Sequence, residues 1–124
     1  MNKGKSEWSI DFVNLSFQRF NNVDEKIILI SIIGTIDAIE NDAMSIEEGE
    51  KFLFSPHTVN LLNNKNCSPE IVEMVELGCE MEDIKSLMPD KLSSELKNLK
   101  KRAYGLLKKY EEVDNEFWIQ ADDN

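Results

Sequence analysis

Apolar positions along the chain fall into blocks of different period. From Trp8 to Phe20 they alternate: Trp8, Ile10 and Phe12 share one phase, and Val13, Leu15 and Phe17 share the other. Period two predicts an extended segment, with a bulge or strand end at the phase slip between Phe12 and Val13. Ile10, Val13, Phe17 and Phe20 also fit helical spacings of three and four, so helix is the rival reading. After a break at Asn21-Asn22 the period changes. Asp24 is the expected N-cap of a helix carrying Ile27, Ile28, Ile30, Ile32, Ile33, Ile36 and Ile39, with little polar face before Asp37 and Glu40. A helix apolar nearly all round belongs in the middle of a bundle.

Three further starts follow in quick succession. Ser45-Ile46-Glu47-Glu48 fits a capping box, opening a short helix that turns Phe52, Leu53 and Phe54 toward the core. Ser55-Pro56 and Ser68-Pro69 each put proline at a first helical position, where its missing N–H costs nothing. The helix begun at Pro56 has Leu61 and Leu62 as core residues and ends in Asn63-Asn64-Lys65-Asn66. The one begun at Pro69 lines its apolar side with Ile71, Val72, Met74, Val75 and Leu77, and Gly78 is placed to terminate it. A short helix holding Met81, Ile84, Leu87 and Met88 should stop before Pro89. Leu92, Leu96, Leu99, Ala103, Leu106, Leu107, Tyr110 and Val113 then recur at threes and fours, predicting an amphipathic helix of about five to six turns.

The expected fold is mainly α: a compact multi-helix bundle with its helical core over about 24–113, to which the terminal segments could add a short strand element. At 124 residues the chain reads as a single domain, 1–124, ending in an acidic tail over 114–124. Its longest apolar run, Ile27 to Ile36, is interrupted by Ser31, Gly34 and Thr35 and falls well short of the roughly 20 residues needed to span a bilayer. No apolar stretch follows Lys3 and Lys5, so no secretory signal is read and a cytoplasmic setting is expected. Cys67 and Cys79 then read as reduced thiols rather than a disulfide.

Charge changes the picture most. The net charge is −10, and residues 24–83 hold fourteen acidic groups against three basic ones. Direct binding of nucleic acid, which needs cations to neutralise phosphates, is disfavoured. A cationic protein is the partner that electrostatics favours. Glu70, Glu73, Glu76 and Glu80 step by three, three and four along one helix face, and Glu82 and Asp83 extend the strip. The plain reading is a solvated face; the functional one is a docking strip for lysine and arginine. Phe117 and Trp118, set among acids near the end of the chain, are the candidate apolar anchors. Lys97, Lys100, Lys101, Arg102, Lys108 and Lys109 read as a solvated face or as internal partners of the acidic helices.

Equipment for catalysis is thin. His57 is the one histidine, and Phe54 stands three residues before it where a helical di-metal motif needs glutamate. Cys67 and Cys79 lie outside any Cys-x-x-Cys pair and read as inert thiols among apolar residues. Glu80-Met81-Glu82-Asp83 lacks the alternating oxygens and the glycine of a calcium loop. No catalytic, cofactor or metal residues are assigned.

The stretch Ser45-Ile46-Glu47-Glu48-Gly49-Glu50-Lys51-Phe52-Leu53-Phe54-Ser55-Pro56, with Leu77-Gly78-Cys79-Glu80-Met81-Glu82-Asp83, Leu87 and Pro89 further on, resembles a family of short bacterial proteins of unknown function. The similarity covers roughly Lys26 to Leu107 and brings no catalytic residues with it. In size, acidity and helical pattern the chain is also similar in type to immunity proteins that protect bacteria from neighbours' toxins. The function expected is therefore a non-enzymatic immunity or inhibitor protein that neutralises a basic toxin domain, a nuclease by preference. The alternative is a regulatory adaptor or structural helical domain for a non-toxin partner, with an enzyme third. Oligomeric state is left open.

Overall fold

A 19-residue helix, α1 (Asn22–Glu40), opens the fold in the computed structural model, which describes residues 20–113. It is followed by α2 (Ile46–Phe52), α3 (Pro56–Asn64), α4 (Pro69–Cys79), α5 (Met81–Leu87) and a second 19-residue helix, α6 (Pro89–Leu107). Among the described residues every regular element is a helix, so the fold is all-α. The alternating segment before Phe20 and any strand it might form lie outside the described residues, as do Phe117 and Trp118.

α1 and α6 form the main packed pair. Their direction is fixed by side chains at both ends: Lys26 donates to the Glu111 carbonyl at 2.8 Å, while Lys100 reaches Asp37 at 3.2 Å and also Glu40. The two helices therefore run antiparallel. α4 packs against both, α3 lies on α4, α2 bridges α1 and α5, and α5 lies along α6. Ile28, Leu29, Ile32 and Ile36 of α1 are fully buried. Each such side chain contributes about 1.5–3 kcal/mol on removal from water. α1 is not apolar-buried all round, however: Ile30 is 45 % exposed, on the same edge as exposed Gly34 and Asp37.

Helix α1 begins one turn earlier than expected. Asn21, not Asp24, is the N-cap, its Oδ1 accepting from the Asp24 N–H at 2.9 Å while Asp24 Oδ2 accepts from the Asn21 N–H at 3.1 Å. Asparagine caps as well as aspartate does, and with an acid three residues on it satisfies two orphan donors at once. At Ser45 the box is one-sided: its Oγ accepts from Glu48 N–H at 3.0 Å, with no return bond among the described residues. Pro56, Pro69 and Pro89 each stand at the first position of a helix, so Pro89 starts α6 as well as stopping α5.

α1 and α3 end in the same left-handed turn, with Asp42 (φ 60°) and Asn66 (φ 57°) where glycine is usual. Ala43 N–H reaches the Ala38 carbonyl and Asp42 N–H that of Ile39; Cys67 and Asn66 repeat the pattern onto Leu62 and Asn63. These are Schellman closures that occupy the last free carbonyls of each helix.

Two apolar residues near the end of α5 stand outside the core. Leu87 is 77 % exposed and Met88 47 %. Only Met81 and Ile84 of the two-turn α5 face inward, and the chain then turns at Met88 to enter α6, leaving Leu87 on the corner. Gly78 does not terminate α4 either, since that helix runs on to Cys79. Its absent side chain admits the Phe54 ring instead: a Cβ there would fall 2.1 Å from Phe54 Cδ1.

Candidate partner-binding surface

Burial of Ile71, Val72, Met74 and Val75 rolls α4 so that Glu70, Glu73 and Glu76 face outward. Glu80 follows as an exposed residue that caps the end of α4 and the start of α5 together. The acidic face read from the spacing therefore exists, but its members do different things. Glu73 Oε1 accepts from Arg102 at 2.7 Å, tying α4 to α6. Glu70 stands at the opposite end, close enough to Tyr110 for its charge to help raise that phenol's pKa. Glu76 and Glu80 flank Cys79, whose thiol is raised by burial first and then by the charges of Glu50, Glu76 and Glu80.

The tertiary fold adds acids from α2. Glu50 has its carboxyl raised above the usual range, first by partial burial and next by Glu82; Glu47 and Asp83 raise it further. Lys85, 3.7 Å from Glu47, is the basic residue paired into this group. So Glu82 and Asp83 join Glu47 and Glu50 on one patch, which continues through Glu80 and Glu76 around Cys79. Sequence spacing had no means of finding Glu47 and Glu50 as members, because the link runs between α2 and α5 across about 30 intervening residues.

Half of the basic residues expected on the last helix are spent internally. Lys100 serves Glu40 and Asp37, which hold its ammonium above the ordinary lysine range, Glu40 through the stronger hydrogen bond. Lys97 lies 3.7 Å from Glu40, and Arg102 is held by Glu73. Lys101, Lys108 and Lys109 remain exposed.

At the other pole, Glu25 works as a clasp. Its Oε2 accepts from the Ser68 N–H at 2.8 Å and its Oε1 from the Tyr110 hydroxyl at 2.6 Å. Ser68 thus caps α4 with its backbone position alone, its side chain making no capping bond.

Thiol chemistry is suppressed where the thiols sit. Cys67 is buried, and that burial, with the charge of Glu25, pushes its thiol up to about 12. A protonated thiol is a poor nucleophile. His57 is exposed in the first turn of α3, whereas Cys67 follows that helix's far end. Among the described residues, no group of three or more His, Cys, Asp or Glu is arranged to hold a metal ion, and no helix is long and apolar enough to cross a membrane.

These features define an all-α domain whose differentiated surface is acidic and lies on α2, α4 and α5. The chain belongs to the family described as protein of unknown function (DUF3969), whose model matches residues 20–120. No curated protein and no solved structure matches it.

Proposed function

We propose that this chain is a non-enzymatic inhibitor of the immunity type, which binds a basic bacterial toxin domain, a nuclease, through the acidic surface of α2, α4 and α5. The observation that supports the reading is the crowding of anions at Glu47, Glu50, Glu82 and Asp83, continued by Glu76 and Glu80, with so few cations beside them. Like charges at helical spacing cost a few tenths of a kcal/mol each when left alone. A cationic protein surface relieves that repulsion on contact and is drawn in faster by it. Nuclease surfaces that hold phosphates carry the positive potential required.

The test is to ask whether the neighbouring gene encodes a small basic toxin domain and to measure that domain's activity with purified chain added at equimolar ratio. Activity should disappear, and joint reversal of Glu76, Glu80 and Asp83 to lysine should slow association by about tenfold or more, the scale of electrostatic steering. A toxin left fully active at excess chain would refute the proposal.

A further inference from the structure

Between the α4–α5 corner and α6 the surface opens into a groove of about 160 Å³, lined on one side by Leu77, Glu80, Met81 and Ile84 and on the other by Glu95, Asn98, Leu99 and Arg102 of α6. Its floor is apolar: Met81 and Leu99 are buried, and Leu77 and Ile84 half-buried, all belonging to the core or packed on it. Its rim is anionic. Glu80 comes from the junction of α4 and α5 and Glu95 from α6, and neither carboxylate makes a hydrogen bond or ion pair among the described residues. Arg102 lines the groove too, with its guanidinium donating to Glu73 at 2.7 Å.

We infer that this groove is the receptor for a single arginine or lysine side chain projecting from a basic protein partner. Size selects the occupant. Drug-sized and cofactor ligands take roughly 300–1,000 Å³, whereas a cavity of about 150 Å³ holds one benzene-sized group. Chemistry selects it again. A long cationic side chain lays its methylenes on apolar surface and keeps its charged head at the polar edge. An anionic side chain would meet Glu80 and Glu95, and an aromatic one would leave both carboxylates unpaired. Arginine at the centre of an interface is also among the residues that dominate binding energy. The inference rests on the reading that the partner is basic, and it reverses one part of the expected arrangement: here the chain supplies the hole and the partner the knob.

The experiment uses the whole chain with its methionine, isoleucine and leucine methyl groups labelled for NMR, titrated with acetyl-arginine methylamide. The matched probe is the citrulline analogue, which has the same shape but no charge, and ionic strength is held constant. The expected result is saturable shifts at the Met81, Ile84 and Leu99 methyls with arginine and none with citrulline. Glu80→Gln combined with Glu95→Gln should weaken the arginine affinity by about fivefold while leaving the spectrum otherwise native. Equal shifts with citrulline, no saturation, or shifts confined to the Glu50–Glu82 patch would each overturn the inference. Because the probe is not the toxin, the groove can pass this test while inhibition of the toxin fails, and the reverse.

Discussion

Replacing Gly78 by alanine would add a methyl group inside the Phe54 ring. The new carbon would lie 2.1 Å from Cδ1 and 2.5 Å from both Cε1 and Cγ. Carbon atoms rest at about 3.5–4.0 Å, so ring and helix must separate by more than 1 Å. Phe54 is 3 % exposed and enclosed by the core, and the clash falls on the ring itself rather than on the tip of a flexible chain. Overpacking of this kind costs about 1–3 kcal/mol, and the severity of the overlap puts Gly78→Ala at the upper end. Alanine returns up to about 1 kcal/mol through helix propensity, leaving a net loss of about 2 kcal/mol. Gly34 in α1 and Gly105 in α6 supply the controls, since nothing lies within 4 Å of a Cβ at either. Alanine at those two sites should stabilise by up to about 1 kcal/mol each. Equilibrium urea unfolding reads all three, and Phe54→Leu added to Gly78→Ala should recover part of the loss in a double-mutant cycle. A Gly78→Ala protein as stable as the Gly34→Ala protein would refute the account of why glycine stands there.

Three further outcomes follow from the buried and clasped groups. Tyr110→Phe removes the hydroxyl that donates to Glu25 at 2.6 Å and should cost about 1.5–3 kcal/mol in urea unfolding, as hydrogen bonds to a charged group do; no loss would mean the clasp carries no stability. Stability should also fall at alkaline pH: the Cys67 thiol, at about 12 when folded against 9.0 as an ordinary thiol, supports the fold fully below pH 9 and loses that support as pH rises toward 12. The slope is up to about 1.4 kcal/mol per pH unit, and a Cys67→Ala protein should show a flatter one in unfolding at pH 8 to 11. On the acid side, Asp24 and Glu50 are raised by burial, so protonating them favours the folded state and stability should hold or increase as pH falls from 7 into the upper carboxylate range.

Helix positions were legible wherever one helix could be judged alone. Proline after Ser55 and Ser68, the threes and fours of Leu92 to Leu107, and the outward phase of Glu70, Glu73 and Glu76 depend on local geometry, and the structure has them. The errors came where a residue's role is set by a neighbour distant in sequence. Gly78 looked like a stop because glycine ends helices, but Phe54 was the reason for it. Spacing groups Leu87 with Met81 and Ile84, yet it stands exposed on the corner where the chain turns into α6. Glu73 was counted with the free acids, yet Arg102, 29 residues on, takes it up. The groove beside Glu80 was invisible for the same reason: its floor and rim come from α4, α5 and α6, and no spacing along one helix encodes it.

The clasp at Glu25 has a topological consequence. Since Lys26 holds the Glu111 carbonyl and Glu25 holds Tyr110, the start of α1 and the segment after α6 lie side by side. The first and last of the six described helices are thus tied at this end as well as along their packed faces. Loosening the segment after α6 would therefore also loosen the first turns of α1 and, through Ser68, the start of α4.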